Sequence, residues 1–151
     1  MSNTEPVTGA VPLSAPYYGA SLGIAFSRFW RKYATFSGRA SRSEYWWWVL
    51  ISVIVAAIFF IIGNLAGGIY GPPTAAGSLT MGPGYGIYLA LSVIWGIAVL
   101  VPGLALTWRR LHDTNRSGAF YFLGLIPIVG PIILLVFVLI SQNPEGARFD
   151  K

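Results

Sequence analysis

Cysteine is absent from this 151-residue chain, and charge is scarce: ten Lys or Arg, five Asp or Glu, and one His. Without cysteine there is no disulfide, no thiolate nucleophile and no zinc–thiolate site. A single histidine, His112, rules out any cluster of imidazoles. Charged residues make up 10% of the chain, where a soluble domain carries roughly 25%. Those residues fall in three stretches, 1–44, 109–116 and 145–151, and leave Tyr45–Trp108 and Ser117–Pro144 without a single charge. A water-soluble core interrupts its apolar runs with solvated faces. These runs have none, so the chain reads as an all-α integral membrane protein. The first nineteen residues hold Pro6, Pro12 and Pro16 but no apolar core, so no cleavable signal is expected and the first apolar run serves as the insertion signal.

Three apolar segments are present. Trp46–Ala66, Tyr85–Leu106 and Ala119–Ile140 are each 21 or 22 residues long, near the roughly 20 that cross a bilayer. Residues 1–20, rich in Pro, Ser, Thr and Ala, read as a disordered tail. Residues 21–149 read as a single membrane domain, and 150–151 as its tail end. Over 21–36, Leu22, Phe26, Phe29, Trp30 and Tyr33 recur at helical spacing opposite Arg28, Arg31, Lys32 and Thr35. That pattern predicts an amphipathic helix lying in the headgroup layer, or else one packed on the protein's own bundle.

Orientation follows from the basic residues. Five Lys or Arg precede the first span, three lie in the 107–118 loop, and the Gly/Pro-rich 67–84 loop has none. The positive-inside rule therefore puts the N-terminus and the 107–118 loop in the cytoplasm. Three full crossings would deliver the C-terminal tail to the other side. The third segment, however, is interrupted by Ile126-Pro127-Ile128-Val129-Gly130-Pro131. One Pro-kinked span is the expected form, because membrane helices tolerate proline where neighbours satisfy the freed carbonyls. A re-entrant hairpin, returning the tail to the cytoplasm, is the alternative.

Motif chemistry gives little. Gly19-Ala20-Ser21-Leu22-Gly23 matches a nucleophile elbow in letters only, since no strand precedes it and His112 comes before Asp113. His112-Asp113 has the form of a paired metal-ligand motif but lacks the further ligands that a site requires. No metal, cofactor or nucleic-acid partner is expected.

What stands out is a constellation at one interface. Arg39, Arg42 and Glu44 precede the first span, and Arg109, Arg110, His112, Asp113 and Arg116 follow the second. Arginine makes bidentate pairs with carboxylates and with phosphates alike. In one reading Glu44 and Asp113, with His112, form a structural clasp, Asp113 pairing with Arg109 or Arg110 on its own helix or with Arg39 or Arg42 across loops. In the other, arginines left unpaired bind an anionic headgroup or a partner.

Those same residues carry a family resemblance. Phe36-Ser37-Gly38-Arg39-Ala40-Ser41-Arg42-Ser43-Glu44-Tyr45-Trp46 and Arg109-Arg110-Leu111-His112-Asp113-Thr114-Asn115-Arg116-Ser117-Gly118 resemble the two signature stretches of the domain of unknown function 805 family. Its members are small bacterial inner-membrane proteins, the YhaH-like group. The resemblance covers roughly 26–149 and implies a bacterial inner-membrane location without supplying catalytic residues. Asn115 stands where the family usually has Gly, and Asn tolerates the left-handed conformation such a turn requires.

Three function classes follow. The expected one is a non-enzymatic scaffold or lipid- or partner-binding module using Arg39, Arg42, Arg109, Arg110 and Arg116. Membrane lipids are its expected ligands, and a second copy of the chain or another membrane protein is left open as partner. The alternative is a transporter or channel component formed by oligomerisation, although the spans hold no ionisable side chain of the kind that marks ion pathways. An enzyme acting on lipid phosphates through His112 would need a nucleophile or metal that the sequence does not offer.

Overall fold

The computed structural model describes residues 11–150. The part of the expected disordered tail that falls on 1–10, and residue 151, lie outside the described residues. The chain forms α1 (Leu22–Arg31), α2 (Arg42–Leu65), a two-stranded antiparallel ribbon of β1 (Tyr70–Gly71) and β2 (Thr80–Met81), α3 (Tyr85–Asp113), a 3-10 helix (Gly118–Leu125), α4 (Val129–Leu139) and a second 3-10 helix (Pro144–Phe149). It is mostly helical, and α2 and α3 are long and apolar enough to cross a membrane.

The burial pattern is inverted relative to a water-soluble bundle. Ile97, in the middle of α3, is 68% exposed, while Arg110 near the end of the same helix is fully buried. The apolar surface is left outward, as a lipid solvent requires, and the polar groups gather inside one end. The apolar core there is Phe29, Ala40, Trp48 and Leu106. The Phe29 ring stacks on Trp48, which in turn stacks on Trp95.

α2 begins with a capping box: the Ser41 hydroxyl accepts from the Glu44 N–H and the Glu44 carboxylate accepts from the Ser41 N–H. α3 runs seven residues past the expected end of its span, to Asp113. Asn115, at φ 59°, then stops it: its N–H donates to the His112 carbonyl and the Arg116 N–H to that of Leu111. This is a Schellman closure, the left-handed cap foreseen at Asn115. The expected 107–118 loop is thus mostly helix, because no proline or glycine lies between Thr107 and Asn115 to break the ladder.

Three expectations change. The third apolar segment is not one kinked helix. It is a 3-10 helix and an 11-residue α-helix, separated at Ile128, whose φ of 67° is a backbone state that a β-branched residue rarely adopts. Pro131 falls in the first turn of α4, where its missing N–H costs nothing. Gly130 lets the two halves close on each other, since a Cβ there would collide with the Leu123 carbonyl. The tail, in turn, does not leave on the far side. Arg110 donates to the Val138 and Ile140 carbonyls, and the Asn143 N–H to that of Asp113, so the chain returns to where α3 ended.

From Val11 to Ala20, finally, the expected disorder gives way to a held strap. Arg28 donates to carbonyls of Pro12, Leu13 and Ala15, and Trp47 to that of Ala20. α1 packs on the protein's own α2, and it turns Ala25, Arg28 and Phe29 inward while Leu22 and Phe26 are exposed.

Candidate functional site

The buried polar layer at the end of α3 is the candidate site. It is assembled from α1, the 32–41 linker, the start of α2, the end of α3 and the C-terminal 3-10 helix. α1 contributes Arg28 on its inward face, and its C-cap residue Lys32, four positions on, is buried as well. Arg28 Nε donates to Glu44 Oε1, with both side chains buried. Glu44 Oε2 accepts in addition from the N–H groups of Ser41 at 2.8 Å and Tyr17 at 3.2 Å. One carboxylate therefore caps α2, neutralises α1 and holds the strap.

Asp113 is the second hub. It accepts from Arg110 Nη1 at 2.6 Å and from the Tyr18 hydroxyl at 2.8 Å, and Arg39 Nη1 lies 3.9 Å away. Burial, and then the hydrogen bond to Asp113, push the Tyr18 phenol up to about 12. Arg39 itself forks onto Asp150, with Nη2 to Oδ2 at 2.6 Å and Nε to Oδ1 at 2.9 Å. That charge-assisted fork holds the C-terminal segment against the linker before α2. His112 does not enter the ion pairs. Its Nδ1 lies 3.0 Å from the Gly38 carbonyl, its ring stacks on Phe149 with centroids 3.9 Å apart, and the Gly38 N–H donates to the Phe149 carbonyl. Gly38 is required here: its φ is +78° and a Cβ would meet the Ser14 carbonyl.

Lys32 and Arg109 are different. Both are 1% exposed, and neither Lys32 Nζ nor Arg109 Nη2 has a hydrogen-bond partner among the described residues. Burial, and then the charge of Arg109, push the Lys32 amine down to about 7.

The five arginines singled out from the sequence thus separate. Arg39 and Arg110 meet at Asp113, and Arg109 lies buried with its Nε on the Ala105 carbonyl. Arg42 is exposed, with no acidic partner among the described residues. Arg116 reaches only the Thr114 carbonyl and the face of Phe137, its guanidinium 4.2 Å from the ring centre. Glu44 and Asp113 each find an arginine, but in separate pairs.

Sequence reasoning missed Arg28, Lys32, Tyr18 and Asp150. The S-x-x-E signature at Ser41–Glu44 was a readable sign that Glu44 is engaged at a helix start. Nothing in the sequence points Tyr18 at a carboxylate 95 residues away.

Residues 33–151 match the family model described as a protein of unknown function, DUF805. The chain is 41% identical to the inner membrane protein YhaI of Escherichia coli K12 over 121 residues, 80% of this chain and 87% of that protein. It is 36% identical to the inner membrane protein YhaH of the same organism over 119 residues, 79% of this chain and 87% of that one. No solved structure matches.

Proposed function

We propose, from the premise that the chain belongs to the DUF805 family, that this inner-membrane protein is a non-enzymatic module that binds anionic lipid headgroups. The contacts come from the arginines that its own fold leaves over. The observation that carries the reading is the separation of the basic residues. Arg39 and Arg110 are consumed by internal carboxylates, whereas the exposed Arg42 and the half-buried Arg116 have none among the described residues. A guanidinium at a headgroup layer pairs with phosphate as readily as with carboxylate. Exposed Trp46 shares α2 with Arg42, and exposed Phe26 shares α1 with Arg31, the company that interfacial residues keep.

In this reading α2 and α3 cross the membrane, the 118–140 hairpin enters and leaves on one side, and the 67–84 ribbon lies outside. The polar layer and both termini are cytoplasmic, as the basic residues of 28–42 and 109–116 favour.

The test is thermal unfolding in detergent with added phosphatidylglycerol or phosphatidylcholine. Phosphatidylglycerol should raise Tm for wild type and not for Arg42→Gln/Arg116→Gln, while Arg148→Gln keeps the response. Equal responses to the two lipids, or an undiminished response in the double variant, would overturn the reading.

A further inference from the structure

Among the glycines of α3, Gly96 and Gly103 stand seven residues apart and so on one face of the helix. A Cβ built at either would meet nothing within 4 Å. Their missing side chains leave a trough of about 340 Å³ between α2 and α3, walled on the third side by Tyr121 of the 3-10 helix Gly118–Leu125. Leu100 and Val49 line its apolar length, and Tyr45 and Thr107 bring hydroxyls to the end nearer the buried polar layer. Arg42, which is exposed, precedes Tyr45 and Val49 on one face of α2 at spacings of three and seven, so it stands about one turn beyond that end of the trough.

From Thr107 to Gly96 the trough runs about 16 Å along α3, at 1.5 Å per residue. One leaflet of a hydrocarbon core roughly 30 Å thick is about 15 Å deep. The trough is therefore one acyl chain long, apolar at its deep end, hydroxylated at its mouth and capped by a cation. We propose that it is a lipid site that seats one acyl chain of an anionic glycerophospholipid, with the phosphate on Arg42 and the glycerol region beside Tyr45 and Thr107. A second copy of the chain would suit it less well, because two-fold packing on this face would bring one unpaired Arg42 toward another. The site rests on the headgroup-binding reading above and makes it specific: it adds a place, a chain and a stoichiometry of one.

The experiment is native mass spectrometry of the full chain reconstituted in phosphatidylcholine vesicles with a minority of phosphatidylglycerol. Wild type should retain one phosphatidylglycerol. Gly103→Leu, which fills the trough from an open position, should lower that occupancy about tenfold, as should Arg42→Gln. Gly86→Leu, at an open position at the other end of α3, should leave it unchanged. If Gly103→Leu fails to fold, Gly96→Leu fills the deep end in its place. Loss in Arg42→Gln with full retention in Gly103→Leu would overturn the trough and leave the headgroup reading standing, whereas retention in both would overturn both. Phosphatidylcholine held as well as phosphatidylglycerol, or a wild-type dimer broken by Gly103→Leu, would likewise overturn the site.

Discussion

The Tyr33 hydroxyl donates a hydrogen bond to the Ala98 carbonyl, at 3.0 Å across 65 residues of sequence. Ala98 is the residue whose carbonyl Pro102, four positions on within α3, leaves without an N–H. In lipid an orphaned carbonyl is costly, and a neighbouring side chain is the remedy open to a membrane helix. The tyrosine after α1 thus repairs the proline in α3, and α1 is fastened to the bundle by that repair as well as by its aromatic packing.

Tyr33→Phe should therefore destabilise the protein by about 1 kcal/mol, the net value of a typical hydrogen bond. In a Pro102→Ala background, where residue 102 again supplies its own N–H, the same substitution should cost much less. Unfolding in detergent, run as a double-mutant cycle, measures the coupling. Equal costs in both backgrounds would mean that the hydroxyl does nothing for the helix.

Glu44 and Asp113 hold different arginines, Arg28 and Arg110. Removing either charge leaves a buried guanidinium unpaired, so Glu44→Gln and Asp113→Asn should each cost on the order of 3 kcal/mol. Because the pairs share no partner, the double variant should lose close to the sum, within about 0.5 kcal/mol. A large shortfall from additivity would show one coupled network in place of two pairs.

Lys32 gives a pH dependence whose sign can be worked out. The folded amine titrates at about 7 and the ordinary value is 10.5, the depression coming from burial first and then from Arg109, with Arg28 acting the same way and Glu44 and Asp150 opposing it. Between those values the unfolded chain binds the proton that the folded protein has given up, so stability rises with pH. Below about 7 both states carry it, and the penalty is at its full size. Tyr18, held up at about 12, works in the other direction only above its ordinary 10. Tm should climb from pH 7 to 10 in wild type. Lys32→Met should flatten the climb and raise Tm at pH 7, and a variant curve parallel to wild type would assign the slope to other groups.

With no native cysteine, single-cysteine labelling has no background. Ser37→Cys and Gln142→Cys, both at exposed positions, should react with an impermeant maleimide from the same face of the membrane, and Ser78→Cys from the opposite one. Labelling of Gln142→Cys together with Ser78→Cys would restore a third crossing.

Much of the fold is legible because lipid imposes a simple rule on sequence. The apolar segments Trp46–Ala66 and Tyr85–Leu106 correspond to α2 and α3, since a charge-free segment of that length satisfies its backbone in a membrane as a helix. The turn at Asn115 and the cap at Ser41–Glu44 are equally local, written in residues a few positions apart. The candidate site was legible as a set of residue types at one interface, but not as a set of partners. Arg39 and Arg110 look like Arg42 and Arg116 in sequence, and only the carboxylates of Asp150 and Asp113 tell them apart.

α1 shows the same division. Its periodicity fixes two faces, yet which face turns inward was decided by Glu44 and the 11–20 strap, whose acceptors draw Arg28 inside. Pro127, Gly130 and Pro131 read as a kink first and as a break second. Arg110 chose the break by holding the Val138 and Ile140 carbonyls beside Asp113. What the sequence by itself determined is what short-range physics controls: the two long apolar helices, their caps, and the interface at which charge collects. Tertiary structure decided which cations are spent inside and which remain for a ligand, because a buried charge takes whatever counter-charge the fold brings within reach, however distant along the chain.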